Sequence, residues 1–202
     1  MPRILFMTAA SLAALSLAAC GDNMSGDNAL MTQPTVETAS VATASAENAT
    51  REAQDFVNAA GQASLVEIRT SELALEKSSS ADVKAFAQMM IDNHKAATDR
   101  LKAAASATAL APPTEMLDDF HMRRINDLVE TDGDADFDAD YAALQIDAHN
   151  DAIRLFEDYS RDPDATARLK AFAEETLPTL HTHKAQAEKI RDVATKSDKS
   201  AT

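Results

Sequence analysis

Between residues 50 and 196 the chain contains only two glycines, Gly61 and Gly133, few β-branched runs and a great deal of alanine. Such a stretch lacks the turn residues a sheet requires and favours long helices. Apolar side chains recur in it at the helical period of about 100° per residue. In residues 50–78, Phe56, Ala60, Ala63, Ser71 and Ala74 share one stripe, flanked by Val57, Ile68 and Leu75. Arg51, Asn58, Gln62, Arg69, Glu72 and Glu76 face away, as on an amphipathic helix against a core.

Three serines, 78–80, end this helix, and Ser79 with Asp82 has the pattern of a capping box for a second helix over 81–106. Its stripe is Val83, Phe86, Ala87, Met90, Ala97, Leu101 and Ala104. The short connection makes the two helices antiparallel neighbours. Ala111-Pro112-Pro113 closes the hairpin, and Thr114 is placed to cap the next helix. This third helix is expected in two pieces, 115–130 and 136–159, interrupted at Thr131-Asp132-Gly133-Asp134. Phe137, Tyr141, Leu144, Ala148, Ala152, Leu155 and Tyr159 line its inner face. Asp162-Pro163 suits the cap and first turn of a fourth helix reaching residue 195, with Pro178 kinking or breaking it. "DGDADFDAD" (132–140) has the acids of a calcium loop but Ala143 where the bidentate Glu belongs, so it reads as loop and helix cap.

Two segments repeat. "ADVKAFAQMMIDNHKA" (81–96) and "ARLKAFAEETLPTLHTHKA" (167–185) share Lys-Ala-Phe-Ala and His-Lys-Ala, with about one helical turn of difference in spacing. Each follows a long helix with an aromatic near its start, Phe56 or Phe137. The expected fold is all-α: two similar hairpins packed as a four-helix bundle, as in ferritin-like proteins, with a less regular helical array as the alternative.

Polar residues interrupt the inner stripes at one position per helix: Glu67, His94, His149 and His183. Tyr141, two turns before His149, adds a phenol. A buried carboxylate among imidazoles admits two readings. The groups can hydrogen-bond one another and impose register on otherwise interchangeable Ala-rich helices. They can instead converge on a transition metal. The spacing carries no sharp ligand signature, so the sequence favours the polar network. Di-iron chemistry is not supported, because no Glu-x-x-His occurs anywhere in the chain. His181 projects away from His183 on a regular helix, and His121 beside Phe120 and Met122 reads as surface or core edge. No nucleophile elbow, phosphate loop or catalytic triad pattern is present, and no acid/base set stands out beyond the four polar positions.

The stretches "DFVNAAGQASLVEIRTSELALEKSSSADVKAFAQMMIDNH", "FDADYAALQIDAH" and "LKAFAEETLPTLHTH" together resemble the DUF4142 family over residues 55–193. The resemblance implies a secreted or lipid-anchored bacterial helical protein near the ferritin-like fold. It also implies that Glu67, His94, His149 and His183 are recurring polar positions. It implies little about activity.

The ends set an expectation for location. Residues 1–19 carry one charge, Arg3, then an apolar run too short to span a bilayer, and read as a signal peptide. "LAAC" (17–20) contains the only cysteine and resembles the lipobox of bacterial lipoproteins, which implies acylation of Cys20 and cleavage before it. No intramolecular disulfide is then possible. Gly21, in place of an Asp, leans the expected location toward the outer membrane, facing the periplasm. Residues 20–49, rich in Ser, Thr, Ala, Asn and Asp, read as a flexible acidic tether, and 197–202 as a disordered tail. The formal net charge of −14 argues against nucleic-acid binding and leaves membrane contact to the lipid. The resulting expectation is a lipid-anchored envelope protein of non-enzymatic role, stress response among the candidates, with a periplasmic metal-binding protein as the alternative. The metal, any substrate, protein partners and the oligomeric state are not written in the sequence.

Overall fold

The computed structural model describes residues 36–200 apart from Gly133, and side-chain surroundings for 44–196 apart from 133–135. The expected signal peptide, Cys20 and the first part of the expected tether lie outside the described residues. The described residues form five helices: α1 (Val36–Lys77), α2 (Ala81–Ala107), α3 (Asp119–Glu130), α4 (Asp134–Arg161) and α5 (Ala167–Ser200). No helix among them is long and apolar enough to cross a membrane.

Four helices make the bundle. α1 packs along α2 and α4 along α5, and the α1–α4 and α2–α5 faces close the ring. Contacts along each face fix the directions. Phe56 meets Phe156 and Tyr159 at one end of the α1–α4 face, and Ser71 meets Tyr141 at the other. Those two helices are therefore antiparallel. On the α2–α5 face Arg100 pairs with Glu175 and Asn93 with His183, again antiparallel. The two hairpins expected from the repeat are thus present.

The interruption expected at 131–134 is present, α3 ending at Glu130 and α4 starting at Asp134, but the first piece is not part of the bundle. α3 packs on α1 and α4 and buries a single residue, Leu128. It lies on the outside of the bundle, within a crossover that runs along α1 from Gln54 to Lys77. Ala111 exchanges backbone hydrogen bonds with the Gln54 amide, Pro113 sits against Gly61, Met116 O accepts from Gln62, and Val129 O and Thr131 O accept from Lys77. The crossover returns the chain to the end where α2 began.

Several boundaries shift for local reasons. α1 starts at Val36, well inside the expected tether, because the Ala-rich segment after Pro34 can extend an existing helix without a new nucleus. Its residues 44–52 are nearly all exposed, and burial begins at Ala53. Ser80, not Ser79, caps α2, accepting from Val83 N–H, since its backbone is extended where the helix begins. Asp118, not Thr114, caps α3; Thr114 instead accepts from Met116 N–H in a local turn. Asp162-Pro163 forms a turn, with Asp162 accepting from Asp164 N–H, and α5 starts only at Ala167. Pro178 neither breaks nor interrupts α5. Pro178 and Glu174 are both on the exposed face, so the carbonyl that loses its partner is open to water. α5 also continues through residues 197–200, where a tail was expected.

The apolar core is split in two. One cluster centres on Phe56, Leu101, Phe156, Leu169, Phe172 and Leu180, the other on Phe86, Met90, Phe137, Tyr141 and Ile146. Between them, in chain order on each bundle helix, come Glu67, His94, His149 and His183, all buried. The pseudo-symmetry is visible here: Phe56 and Phe172 lie in one cluster, Phe137 and Phe86 in the other.

Two backbone positions give opposite expectations. A Cβ on Gly61 would sit 2.4 Å from the Pro113 Cβ, too close for a rigid ring to tolerate. Gly61→Ala should therefore lower stability by about 1–3 kcal/mol despite alanine's better helix propensity. Ala109 ends α2 with φ at 57°, and its N–H and that of Leu110 bond to the Ser106 and Ala105 carbonyls as in a Schellman cap. Ala109→Gly should raise stability by roughly 1 kcal/mol by relieving the left-handed strain. Urea unfolding of the two variants checks both signs.

Candidate metal centre

Glu67 on α1 is 1 % exposed and lies between two imidazoles. Its Oε2 is 3.0 Å from His94 Nδ1 and its Oε1 3.2 Å from His149 Nδ1. His183 from α5 completes the group, with ring centroids 5.3–5.7 Å apart among the three histidines. One ligand nitrogen from each ring falls within 4.8 Å of the others. All four polar positions read from the stripes thus converge, one from each bundle helix.

The acceptors around the rings dictate where their protons sit. His149 Nδ1 is 2.7 Å from the Gln145 carbonyl oxygen, one turn earlier on α4. A carbonyl only accepts, so the ring's N–H is at Nδ1 and the lone pair at Nε2. Because that proton goes to Gln145, the contact of His149 with Glu67 Oε1 is electrostatic, and Oε1 has no hydrogen-bond donor. His94 Nδ1 faces a carboxylate oxygen, which likewise places its proton there, with Ser64 Oγ a longer 3.4 Å away. The Nε2 atoms of His94 and His149 are buried without any hydrogen-bond partner, and so is Nδ1 of His183. The outward nitrogen of His183, Nε2, is 3.0 Å from the Asn93 side-chain amide.

The charges are set by this geometry. Burial by itself would raise the Glu67 carboxyl; the charges of His94 and His149, the His94 hydrogen bond and the charge of His183 outweigh it and hold it at about 2. Burial pushes His149 down, opposed by Glu67 and reinforced by His94. Burial, then the like charges of His94 and His149, push His183 down to about 4. His149 and His183 are therefore neutral bases at pH 7, with lone pairs available to an electrophile.

A void of about 20 Å³ borders Glu67, His94 and Ser64, room for about one water molecule. Neither His149 nor His183 lines it. A buried imidazole nitrogen without a partner costs about 1–3 kcal/mol, and His149 Nε2 and His183 Nδ1 are both in that position.

The surroundings add polar groups that the stripes alone did not single out. Gln145 donates to Thr70 Oγ1, which itself donates to the Val66 carbonyl. The only sequence signal for Gln145 is its position midway between Tyr141 and His149 at i, i+4 spacing. Tyr141 pairs with Ser71 Oγ at 2.8 Å and contacts none of the histidines. Burial, with the Glu67 charge, pushes its phenol up and keeps it protonated, although the Ser71 bond opposes this. His121 bonds Asp118 at the start of α3, and His181 is exposed; neither joins the centre. Residues 134–140 of the acidic stretch are the first turns of α4.

In the metal-free protein, acid should weaken the fold through these rings. The folded His183 value lies near 4, below the 6.5 of a free imidazole, and His149 is displaced the same way. Between those limits the unfolded chain holds protons that the folded chain refuses, so stability falls as pH drops from about 6.5 toward 4. His183→Asn should flatten this decline by roughly 1 kcal/mol per pH unit at pH 5–6, measured by urea unfolding in EDTA.

A family model described as a domain of unknown function, DUF4142, matches residues 38–190. No curated protein and no solved structure matches the chain. The matched segment takes in α2 and α4 whole, most of α1 and α5, and every residue of the Glu/His cluster. The chain belongs to the DUF4142 family.

Proposed function

We propose that this protein binds one divalent transition-metal ion inside the bundle, through His94 Nε2, His149 Nε2 and His183 Nδ1. Two observations carry the reading: one ring nitrogen of each histidine lies within 4.8 Å of the others, and each ring has one buried nitrogen without a hydrogen-bond partner. For two of them, neighbouring acceptors already hold the ring proton on the far nitrogen. That is the arrangement by which carboxylates and carbonyls orient metal-ligating histidines. Glu67 then acts on the Nδ1 side, orienting His94 and supplying negative charge near the cation, rather than as a direct ligand.

All-nitrogen donation suits Zn, Cu, Ni or Fe. A tetrahedral zinc, with Zn–N of about 2.0–2.1 Å, would draw the nitrogens to about 3.4 Å of each other, a contraction that small ring rotations supply. Three protein ligands leave a fourth position open, which fits binding or buffering of an ion. No further acid/base pair argues for catalysis. The protein is held at the bacterial cell envelope, facing the periplasm, by lipid on Cys20; the lipobox-like "LAAC" supports this part. Lipid anchoring of that kind takes at least two acyl chains, at about 0.8 kcal/mol per buried methylene.

The full chain, purified in detergent and exposed in turn to Zn, Cu and Ni, should retain close to one ion per chain by mass spectrometry. His183→Gln should retain under a tenth of that, while melting in EDTA within a few degrees of wild type. Wild-type protein with no ion, and no thermal shift on metal addition, would sink the metal reading and leave a hydrogen-bonded polar core. Separately, Cys20→Ser should move the protein from the membrane fraction to the soluble fraction. Equal partitioning of the two forms would remove the anchor.

A further inference from the structure

Two of the three histidines have a fixed orienting partner, Glu67 for His94 and the Gln145 carbonyl for His149. The partner of the third does not belong to that buried set. The group facing His183 Nε2 is the side chain of Asn93, an exposed residue on α2 next to the ligand His94. Its Nδ2 lies 3.0 Å from both His183 Nε2 and Met89 Sδ. With the amide turned this way, Nδ2 donates to Nε2, and the ring proton is forced onto Nδ1. That places an N–H on Nδ1, a buried atom with no acceptor. Turning the amide by half a revolution exchanges Oδ1 for Nδ2 with almost no change in shape. Oδ1 then accepts from Nε2–H and the lone pair moves to the buried, unpartnered Nδ1.

We infer that Asn93 is the positioning residue for the third metal ligand: its amide turns to accept from His183 Nε2–H and holds the Nδ1 lone pair toward the ion. This rests on the three-histidine metal reading. The site is accordingly of mixed linkage, Nε2 from His94 and His149 and Nδ1 from His183. The sole adaptable orienter is also the sole exposed one, because both acceptors deeper in the bundle can only accept.

The test uses the full chain with zinc as the probe, measured by competition with a chromophoric chelator. Asn93→Ala should weaken zinc binding about 10–100-fold, the usual loss when an orienting partner is removed. Asn93→Asp, whose carboxylate can only accept, should bind at least as tightly as wild type. Nitrogen-15 imidazole spectra of the zinc form should show the His183 proton on Nε2. Because Asn93 is exposed, the Ala variant should melt close to wild type in EDTA, which separates positioning from folding. Unchanged zinc affinity in Asn93→Ala, or zinc on His183 Nε2, would overturn the inference while leaving the three-histidine site intact. A wild-type chain that takes up no zinc would overturn both.

Discussion

The burial of Glu67 between His94 and His149 is the constraint to which the rest of the bundle conforms. An ionised carboxylate at 1 % exposure is sustained only if donors and positive potential reach it from outside its own helix. The donor is His94 Nδ1 of α2, while His149 of α4 stands 3.2 Å from the other carboxylate oxygen and His183 of α5 packs against both rings. Many of the buried positions on these faces are alanines, among them Ala60, Ala74, Ala87, Ala148, Ala152 and Ala187, which offer little shape of their own to fix a register. Sliding any helix by a turn would leave most of the apolar burial in place but strand the carboxylate. Specificity therefore resides in the polar layer, and bulk stability in the two apolar clusters on either side of it.

That layer exists only when both hairpins have docked. α1 and α2 alone bring Glu67 to His94, and α4 and α5 alone bring His149 near His183. The Glu67–His149 contact and the three-histidine cluster span the two repeats. Duplication of a hairpin thus places polar residues at corresponding levels, and the chemistry then diverges. The first repeat offers a carboxylate and an imidazole, the second two imidazoles. A symmetric pair would have put like beside like; this arrangement puts one acid among three bases.

Much of this was legible because helical periodicity turns a face into a sum over positions. Glu67, His94, His149 and His183 each interrupted an apolar stripe, and each is buried in the cluster. What escaped the pattern depends on contacts distant in sequence. Nothing local in Pro112-Pro113 announces that Gly61 receives it, so the crossover along α1 looked like the start of another bundle helix. Pro178 looked like a break, because periodicity says which face a residue occupies but not that the freed carbonyl can be hydrated there. Ala109 carries no mark of a left-handed cap, a position usually filled by glycine. Asn93 is exposed and off the stripe, so no burial pattern could select it; only the direction of the His183 ring does.

The early start of α1 has a mechanical consequence. Residues 44–52 are nearly all exposed, and the helix runs on without a break from Val36 to the buried Ala53, roughly 25 Å at about 1.5 Å per residue. A coil of the same length would let the bundle tumble freely about its end. A rod transmits torque and holds a direction, so the bundle keeps its orientation relative to residue 36. The polar layer, set at a fixed height on that same helix, is thereby carried at a defined standoff from that end, as a reading head is carried on an arm.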